Sequence, residues 1–204
     1  MTHPARVAGL APESWPAAIR DALTQTQKTN SGRLAGSPRR TVSTTGAKPL
    51  NILTVIANHP ALLPPFIPWA SAIAMQGVLS QRDNELLALR TVYRCGSEFE
   101  WGHHVEYGEV IAGMSRDEID RVVAGPEAAG WLPHEAALLR AADELHDDST
   151  VSDATWAALA AHYETAALVE IPFIVGQYTM LSFVANSLGV ELEEGYESFP
   201  ANDG

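Results

Sequence analysis

An uncharged run of twenty residues near the C-terminus, residues 171–190, limits the folds that this chain can adopt. A run of this length can span a bilayer as a helix. It contains polar residues such as Gln177 and Asn186, however, and it is flanked by glutamates where a membrane helix carries lysine or arginine. We therefore predict a helix that is buried in a protein core or a subunit interface, rather than a membrane span.

From residue 49 onward, apolar residues recur at spacings of three and four, which is typical of helices, and strand-like alternation is scarce. Ser80 and Ser115 precede apolar runs and are expected to cap helices, the second in a capping box with Glu118. A break at residues 95–96 predicts a helix hairpin, and Gly189 should end the last helix. Helices are predicted over residues 51–58, 61–77, 81–94, 97–112, 116–124, 133–146, 152–162 and 165–188. The predicted fold class is all-α.

The charge of the chain differs between its two ends. Residues 1–48 carry a net charge of +5 and residues 49–204 a net charge of −17, which gives −12 for the chain. Residues 24–48 are rich in serine, threonine, glycine and basic side chains and show no apolar periodicity. We therefore predict a basic N-terminal arm over residues 1–48, partly extended, followed by a helical domain over residues 49–204. The arm is either a solvated leader or a segment that wraps an acidic neighbouring subunit.

Composition excludes several classes of function. The excess of acidic residues argues against nucleic acid or an anionic membrane as the main partner. The single cysteine excludes an internal disulfide and every metal site that needs several cysteines. Because the first 20 residues contain no apolar export signal, we expect a cytoplasmic protein.

The densest polar cluster lies in residues 93–107. On a helix of 100° per residue, one face carries Ser97, Glu100, Trp101 and His104, and the opposite face is charged and is expected to be solvated. Polar groups on an apolar face need partners, and Glu100 and His104 lie one turn apart and can satisfy each other. Two interpretations remain open: a functional site, or a core histidine satisfied by a glutamate.

The spacing of this cluster resembles the active-site pattern of the carboxymuconolactone decarboxylase family, which includes the AhpD-like alkylhydroperoxidases. The peroxidase branch carries a glutamate, eleven residues, and then Cys-x-x-Cys-x-x-x-His. Here Glu85 matches the glutamate and His104 the histidine, with eleven residues before Ser97. Both cysteine positions are substituted, by Ser97 and Glu100. The resemblance covers residues 50–130 and implies an AhpD-like helical bundle with a central antiparallel hairpin.

The substitutions argue against thiol peroxidase activity. Peroxide reduction in this family needs one thiolate to attack the peroxide and a second thiol to resolve the sulfenic acid. Ser97 is a far weaker nucleophile at neutral pH, and Glu100 cannot form a disulfide. Cys95 has no second cysteine to resolve it, and we interpret it as a small buried residue at a helix end.

The resemblance to the decarboxylase branch implies a different use for the remaining groups. In that branch a carboxylated muconolactone loses its carboxylate, which requires a proton donor at the carbon that develops carbanion character. We predict Glu85, Glu100 and His104 as the catalytic residues, acting by acid–base chemistry on a small carboxylated lactone or carbonyl compound. Ser97, Trp101 and His103 are the substrate-binding candidates, although Ser97 is also a good helix N-cap and His103 lies off the apolar face.

Several alternatives remain open at this stage. The same fold could carry an AhpD-type redox enzyme, or a binding or assembly protein that has lost its chemistry. A metal site could use Glu100 and His103, but the chain has no second Glu-x-x-His motif of the kind that di-iron bundles use in pairs. We therefore expect no metal and no cofactor. We also expect a homo-oligomer, because a small monomer would struggle to cover every face of the last helix.

Overall fold

The computed structural model describes residues 4–30 and 49–200, and within these residues every regular element is helical. A short 3₁₀-helix, Pro12–Ser14, precedes the α-helices. These are α1 (Ala17–Asn30), α2 (Asn51–Ile56), α3 (Leu63–Met75), α4 (Gln81–Arg94), α5 (Glu98–Val110), α6 (Arg116–Ala124), α7 (Pro133–Asp148), α8 (Asp153–Ala160) and α9 (Thr165–Leu188). The all-α fold class predicted from the sequence is confirmed.

The helix ends follow the predicted capping signals. The Ser80 hydroxyl accepts a hydrogen bond from the Asp83 backbone N–H, and Ser115 and Glu118 form a complete capping box. Gly96 and Gly189 have φ angles of 59° and 65°, in the left-handed region that favours glycine. The turn at Gly96 joins α4 directly to α5, so the predicted antiparallel hairpin forms.

Helix α4 lies at the centre of the molecule. It packs against α5, α6, α7 and α9, so side chains on all of its faces are buried, including the run from Leu86 to Leu89. Burying each leucine contributes about 2 kcal/mol to folding. Arg90 forms a two-pronged ion pair with Asp143 of α7, at 2.7 and 2.9 Å. The same guanidinium donates to the Val122 and Val123 carbonyls near the C-terminal end of α6, so α4 is fixed on two sides.

Helix α9 is half-buried. One face packs in the core through residues such as Ile171, Ile174 and Tyr178. Its opposite face exposes the large apolar side chains Val169, Phe173, Met180 and Phe183. By length and composition α9 is apolar enough to cross a membrane, and 39% of its most apolar 18-residue window is buried inside this fold. Its inner face therefore serves as a core element, as the sequence predicts for residues 171–190.

The N-terminal region differs from the predicted arm. Trp15, Ile19 and Leu23 are buried, and α1 packs against α3. The prediction of extended structure is wrong for residues 24–30, which continue α1. The buried apolar residues spaced by four anchor the start of this helix, and the helix then continues into a polar last part. Residues 31–48 of the predicted arm lie outside the described residues.

A C-terminal segment returns across α5. We call residues 190–200 the C-terminal strap. Its backbone approaches so closely at Gly102 that a Cβ there would lie 2.8 Å from the Glu197 carbonyl oxygen. Arg116 at the start of α6 forms an ion pair with Glu197, and Phe199 packs against Tyr93 and Trp101. The face of α5 that the sequence analysis expected to be solvated is therefore partly covered by the strap, which is a correction to that prediction.

Candidate functional site

The hairpin of α4 and α5 brings Glu85 and His104 into direct contact. The Nδ1 atom of His104 lies 2.6 Å from Oε2 of Glu85, and both side chains are buried. The tight turn at residues 95–96 fixes the register of the two helices, so two residues 19 positions apart face each other. The predicted hairpin thus brings together two of the residues that the sequence predicts to be catalytic.

Glu100 lies on the other side of the same imidazole. Its Oε2 atom is 3.8 Å from Nε2 of His104, which is too long for a hydrogen bond but within ion-pair distance. Burial raises the pKa of Glu100 from its ordinary value to about 7, while the charge of His103 acts to lower it and that of Glu193 to raise it. Glu100 is therefore close to half-protonated at neutral pH.

Two tyrosines form the aromatic wall around His104. The ring of Tyr178 on α9 lies 4.4 Å from the His104 ring, and that of Tyr107 lies 5.2 Å away, both in edge-to-face contact. The neighbouring Gln177 accepts a hydrogen bond of 2.8 Å from the Trp69 indole of α3. Tyr178 and Gln177 are polar interruptions of the apolar run, which predicts interface or cavity-lining positions for them, and the structure brings Tyr178 into the site.

Ser97 and Trp101, the predicted substrate-binding candidates on the His104 face of α5, take different positions in the structure. Ser97 occupies the N-cap position of α5, but its side chain accepts no capping hydrogen bond. Its hydroxyl is fully buried and has no hydrogen-bond partner within the described part of the chain. Trp101 packs with Tyr93 and Phe199 under the strap, whereas the ring neighbours of His104 are the two tyrosines.

His103 is not the boundary residue that the helical wheel indicates. It is buried, its Nε2 atom lies 2.8 Å from Oε2 of Glu193, and its ring packs 4.1 Å from the ring of Tyr196. The physical reason is the strap, which covers this side of α5 and carries both partners. No local signal in the sequence predicts this contact, because Glu193 is 90 residues away along the chain.

Cys95 lies apart from the Glu85–His104 pair, at the end of α4. Its sulfur is 3.7 Å from Nδ1 of His146, and burial raises the pKa of the thiol, against smaller lowering effects of Thr179, Ser182 and Arg94. No group of three or more histidine, cysteine, aspartate or glutamate side chains is arranged to hold a metal ion among the residues that the structure describes. His103 and His104 face different carboxylates, so they do not form a common ligand pair.

Comparison with known proteins identifies related folds. Residues 66–144 match the sequence profile of the carboxymuconolactone decarboxylase family, a segment that contains Glu85, Glu100 and His104. No curated protein matches the chain.

Among solved structures, an uncharacterised peroxidase-related protein from Silicibacter sp. TM1040 aligns over 98% of this chain and all of its own, with 15% identity and a TM-score of 0.72. A cysteine-to-alanine variant of the debrominase Bmp8, in complex with 2,3,4-tribromopyrrole, aligns over 95% of each chain, with 13% identity and a TM-score of 0.72. The alkylhydroperoxidase AhpD core of a peroxidase-related protein from Ralstonia eutropha JMP134 aligns over 94% of each chain, with 17% identity and a TM-score of 0.65. At these identities the likeness establishes an AhpD-like fold.

Proposed function

Because residues 66–144 match the model of the carboxymuconolactone decarboxylase family, we propose that this chain is an enzyme of that family that uses Glu85, Glu100 and His104 for acid–base chemistry. The proposed substrate is a small carboxylated lactone or carbonyl compound, and the reaction is a decarboxylation or an isomerisation. The observation that carries the proposal is the buried array in which His104 lies between Glu85, at 2.6 Å, and Glu100, at 3.8 Å.

The two carboxylates have different roles in this proposal. Glu85 accepts the Nδ1–H of His104, which orients the ring and leaves Nε2 towards Glu100. Glu100, with a pKa raised to about 7 by burial, supplies the proton. Environments that give neighbouring groups different proton affinities are the usual basis for assigning an acid and a base at one site.

In a decarboxylation, the bond between the substrate carbon and its carboxylate breaks, CO2 leaves, and the electron pair remains on the substrate as a dienolate. Glu100 then transfers its proton to a carbon of the dienolate that carries carbanion character, and a solvent proton restores the acid. In an isomerisation, Nε2 of His104 removes a proton from one carbon and Glu100 protonates another. The buried Ser97 hydroxyl is a suitable hydrogen-bond donor to a substrate carboxylate or carbonyl.

An AhpD-type thiol mechanism is less well supported. The sequence contains one cysteine, and burial raises the pKa of that Cys95 thiol, which disfavours the reactive thiolate. The protein should not turn over alkyl hydroperoxide with a dithiol reductant. Thiol-dependent turnover that is lost in Cys95→Ser would favour the redox alternative instead.

The experiment that tests the proposed function is a decarboxylation assay in D2O with carboxylated muconolactones and β-keto acids. We expect CO2 release and the incorporation of one solvent deuterium into the product, at a carbon of the dienolate or enolate, detected by mass spectrometry. Glu100→Gln and His104→Gln should reduce the rate by about 10²-fold or more, and Glu109→Gln, an exposed position on the same helix, should leave it unchanged. Equal rates for all four proteins would contradict the proposed role of the array.

We also propose that the protein works as a homo-oligomer. The supporting observation is the exposed apolar face of α9, where Val169, Phe173, Met180 and Phe183 form one continuous stripe at helical spacing. Sedimentation at moderate salt should give at least the mass of a dimer. A monomer at micromolar concentration would contradict this part of the proposal.

A further inference from the structure

The C-terminal strap reaches the functional helix α5 next to the proposed acid. Glu100 and His103 are three residues apart on α5, so their side chains are neighbours on the helix surface. The strap brings Glu193 onto His103 at 2.8 Å and Tyr196 onto the same ring at 4.1 Å. A second imidazole–carboxylate pair therefore lies beside the array of Glu85, His104 and Glu100.

Glu193 is itself fixed at two atoms. While Oε2 bonds His103, Oε1 accepts a hydrogen bond of 2.6 Å from the Asn51 backbone N–H at the start of α2. Burial acts to raise the pKa of Glu193, but the hydrogen bonds from His103 and Asn51 outweigh it, so the pKa is lowered and the group is ionised at neutral pH. The carboxylate is thus a fixed negative charge that connects the strap, α2 and α5.

We propose that the strap is a working part of the site, in which Glu193 and His103 are positioning residues that control the exchange of the Glu100 proton. This inference rests on the proposed function, in which Glu100 is the acid. Glu193 holds the His103 ring in place, and the Coulomb interactions of Glu100 with His103 and with Glu193 act on its pKa in opposite directions. The protonation of Glu100 on α5 thereby depends on the C-terminal strap.

The titratable groups that act on Glu100 are His103 and Glu193, together with His104 at 3.8 Å. A second layer contacts the two histidines: Glu85 of α4 and Tyr178 of α9 lie against His104, and Tyr196 of the strap lies against His103. Changing His103 or Glu193 leaves in place the two residues that His104 contacts, Glu85 and Tyr178. This separation allows the contribution of the strap to be measured alone.

The test is a ¹³C NMR titration of the Glu100 carboxyl in protein with ¹³C-labelled glutamate, where Glu100→Gln identifies the resonance by its loss. His103→Gln removes the positive partner and should shift the Glu100 midpoint upward by about 1 pH unit. Glu193→Gln removes the negative charge, while its amide oxygen can still accept the His103 N–H, and should shift the midpoint downward. Glu194→Gln, an exposed neighbour on the strap, should leave it unchanged.

Opposite shifts for the two strap-pair variants would support the inference, because a merely structural disturbance would move both in the same direction. Shifts of the same sign, no shift in either variant, or a shift in Glu194→Gln as large as the others would overturn it. If His103→Gln does not fold, the comparison of Glu193→Gln with Glu194→Gln decides the outcome. A downward shift of the Glu100 midpoint in Glu193→Gln alone supports the inference, and its absence overturns it. The titration needs no substrate, so a failed decarboxylation assay would reject the proposed function without affecting this result.

Discussion

His103 and His104 are consecutive residues on one helix, and each bonds a carboxylate, yet the two pairs are built in different ways. His104 meets Glu85 inside a hairpin of two adjacent helices, and both side chains are almost completely enclosed. His103 meets Glu193 under the strap, and the carboxylate is 18% exposed. The first pair depends on a local turn, and the second on the return of the chain from its far end.

This difference separates a rigid part of the site from an adjustable one. The Glu85–His104 pair is held by α4, which is packed on all sides and tied to α6 and α7 through Arg90. The His103–Glu193 pair is held by a segment without regular secondary structure. Segments with few buried contacts open at lower free energy than core helices. The geometry of His104 should therefore be more resistant to perturbation than that of His103.

The largest expected effect comes from breaking the two pairs in turn. Glu85→Ala leaves His104 buried without its partner, and should lower the free energy of unfolding by about 3–5 kcal/mol. Glu193→Ala should cost less, about 1.5–3 kcal/mol, because its partner can gain solvent when the strap moves. Urea denaturation measures both, with exposed Glu109→Ala as a control expected within about 0.5 kcal/mol of wild type. An equal or larger loss in Glu193→Ala would reverse the proposed ranking.

A second prediction concerns the acid that lies between the two pairs. The pKa of Glu100 is raised to about 7 in the folded protein from an ordinary value of 4.5, so its stabilising effect is present at low pH and is lost as pH rises through about 7. Glu100→Gln removes this dependence. Relative to wild type, it should gain stability as pH rises from about 4.5 to above 7, by up to about 3 kcal/mol.

Urea denaturation of both proteins across this pH range checks the prediction. At the acid end, wild type and Glu100→Gln should differ least, because the protonated carboxyl and the amide are both neutral. A stability difference that does not change with pH would show that Glu100 titrates in its ordinary range.

A smaller effect is expected where the strap presses on α5. In Gly102→Ala the new methyl group would lie 2.8 Å from the Glu197 carbonyl oxygen, whereas in Gly108→Ala its nearest neighbours would be side chains at 3.4 Å. Both changes gain about 1 kcal/mol of helix propensity. The clash should leave Gly102→Ala about 1 kcal/mol less stable than wild type, while Gly108→Ala should be neutral or stabilised.

The free energy of unfolding and the rate of proteolysis within the strap distinguish these variants. Faster cleavage of the strap is expected in Gly102→Ala alone. If both alanine variants behave alike, the strap does not pack on α5 as closely as described.

The sequence could predict the hairpin that holds Glu85 and His104, but not the strap that holds His103. Caps at Ser80 and Ser115 and the turn at Gly96 are local signals that predicted the helices and the hairpin of α4 and α5, and the family resemblance supplied Glu85 and His104 within that hairpin. The burial of His103 and the position of Trp101 depend on a strap that joins α5 from 90 residues away, and no local pattern encodes such a return. The helical wheel therefore assigned a covered face of α5 to solvent. Helix α1 was not predicted, because residues 1–48 were assigned to an arm from their basic and polar composition and the last turns of the helix lack apolar residues of their own.

The most direct test of the account is the midpoint at which the Glu100 carboxyl titrates in the folded wild-type protein, measured by ¹³C NMR. The account predicts a midpoint of about 7, because burial of Glu100 disfavours the ionised form of its carboxyl, and a pKa in this range suits the proton donor of the site. A midpoint close to the ordinary value of 4.5 would mean that the carboxyl is fully ionised at neutral pH, and would contradict its role as the acid.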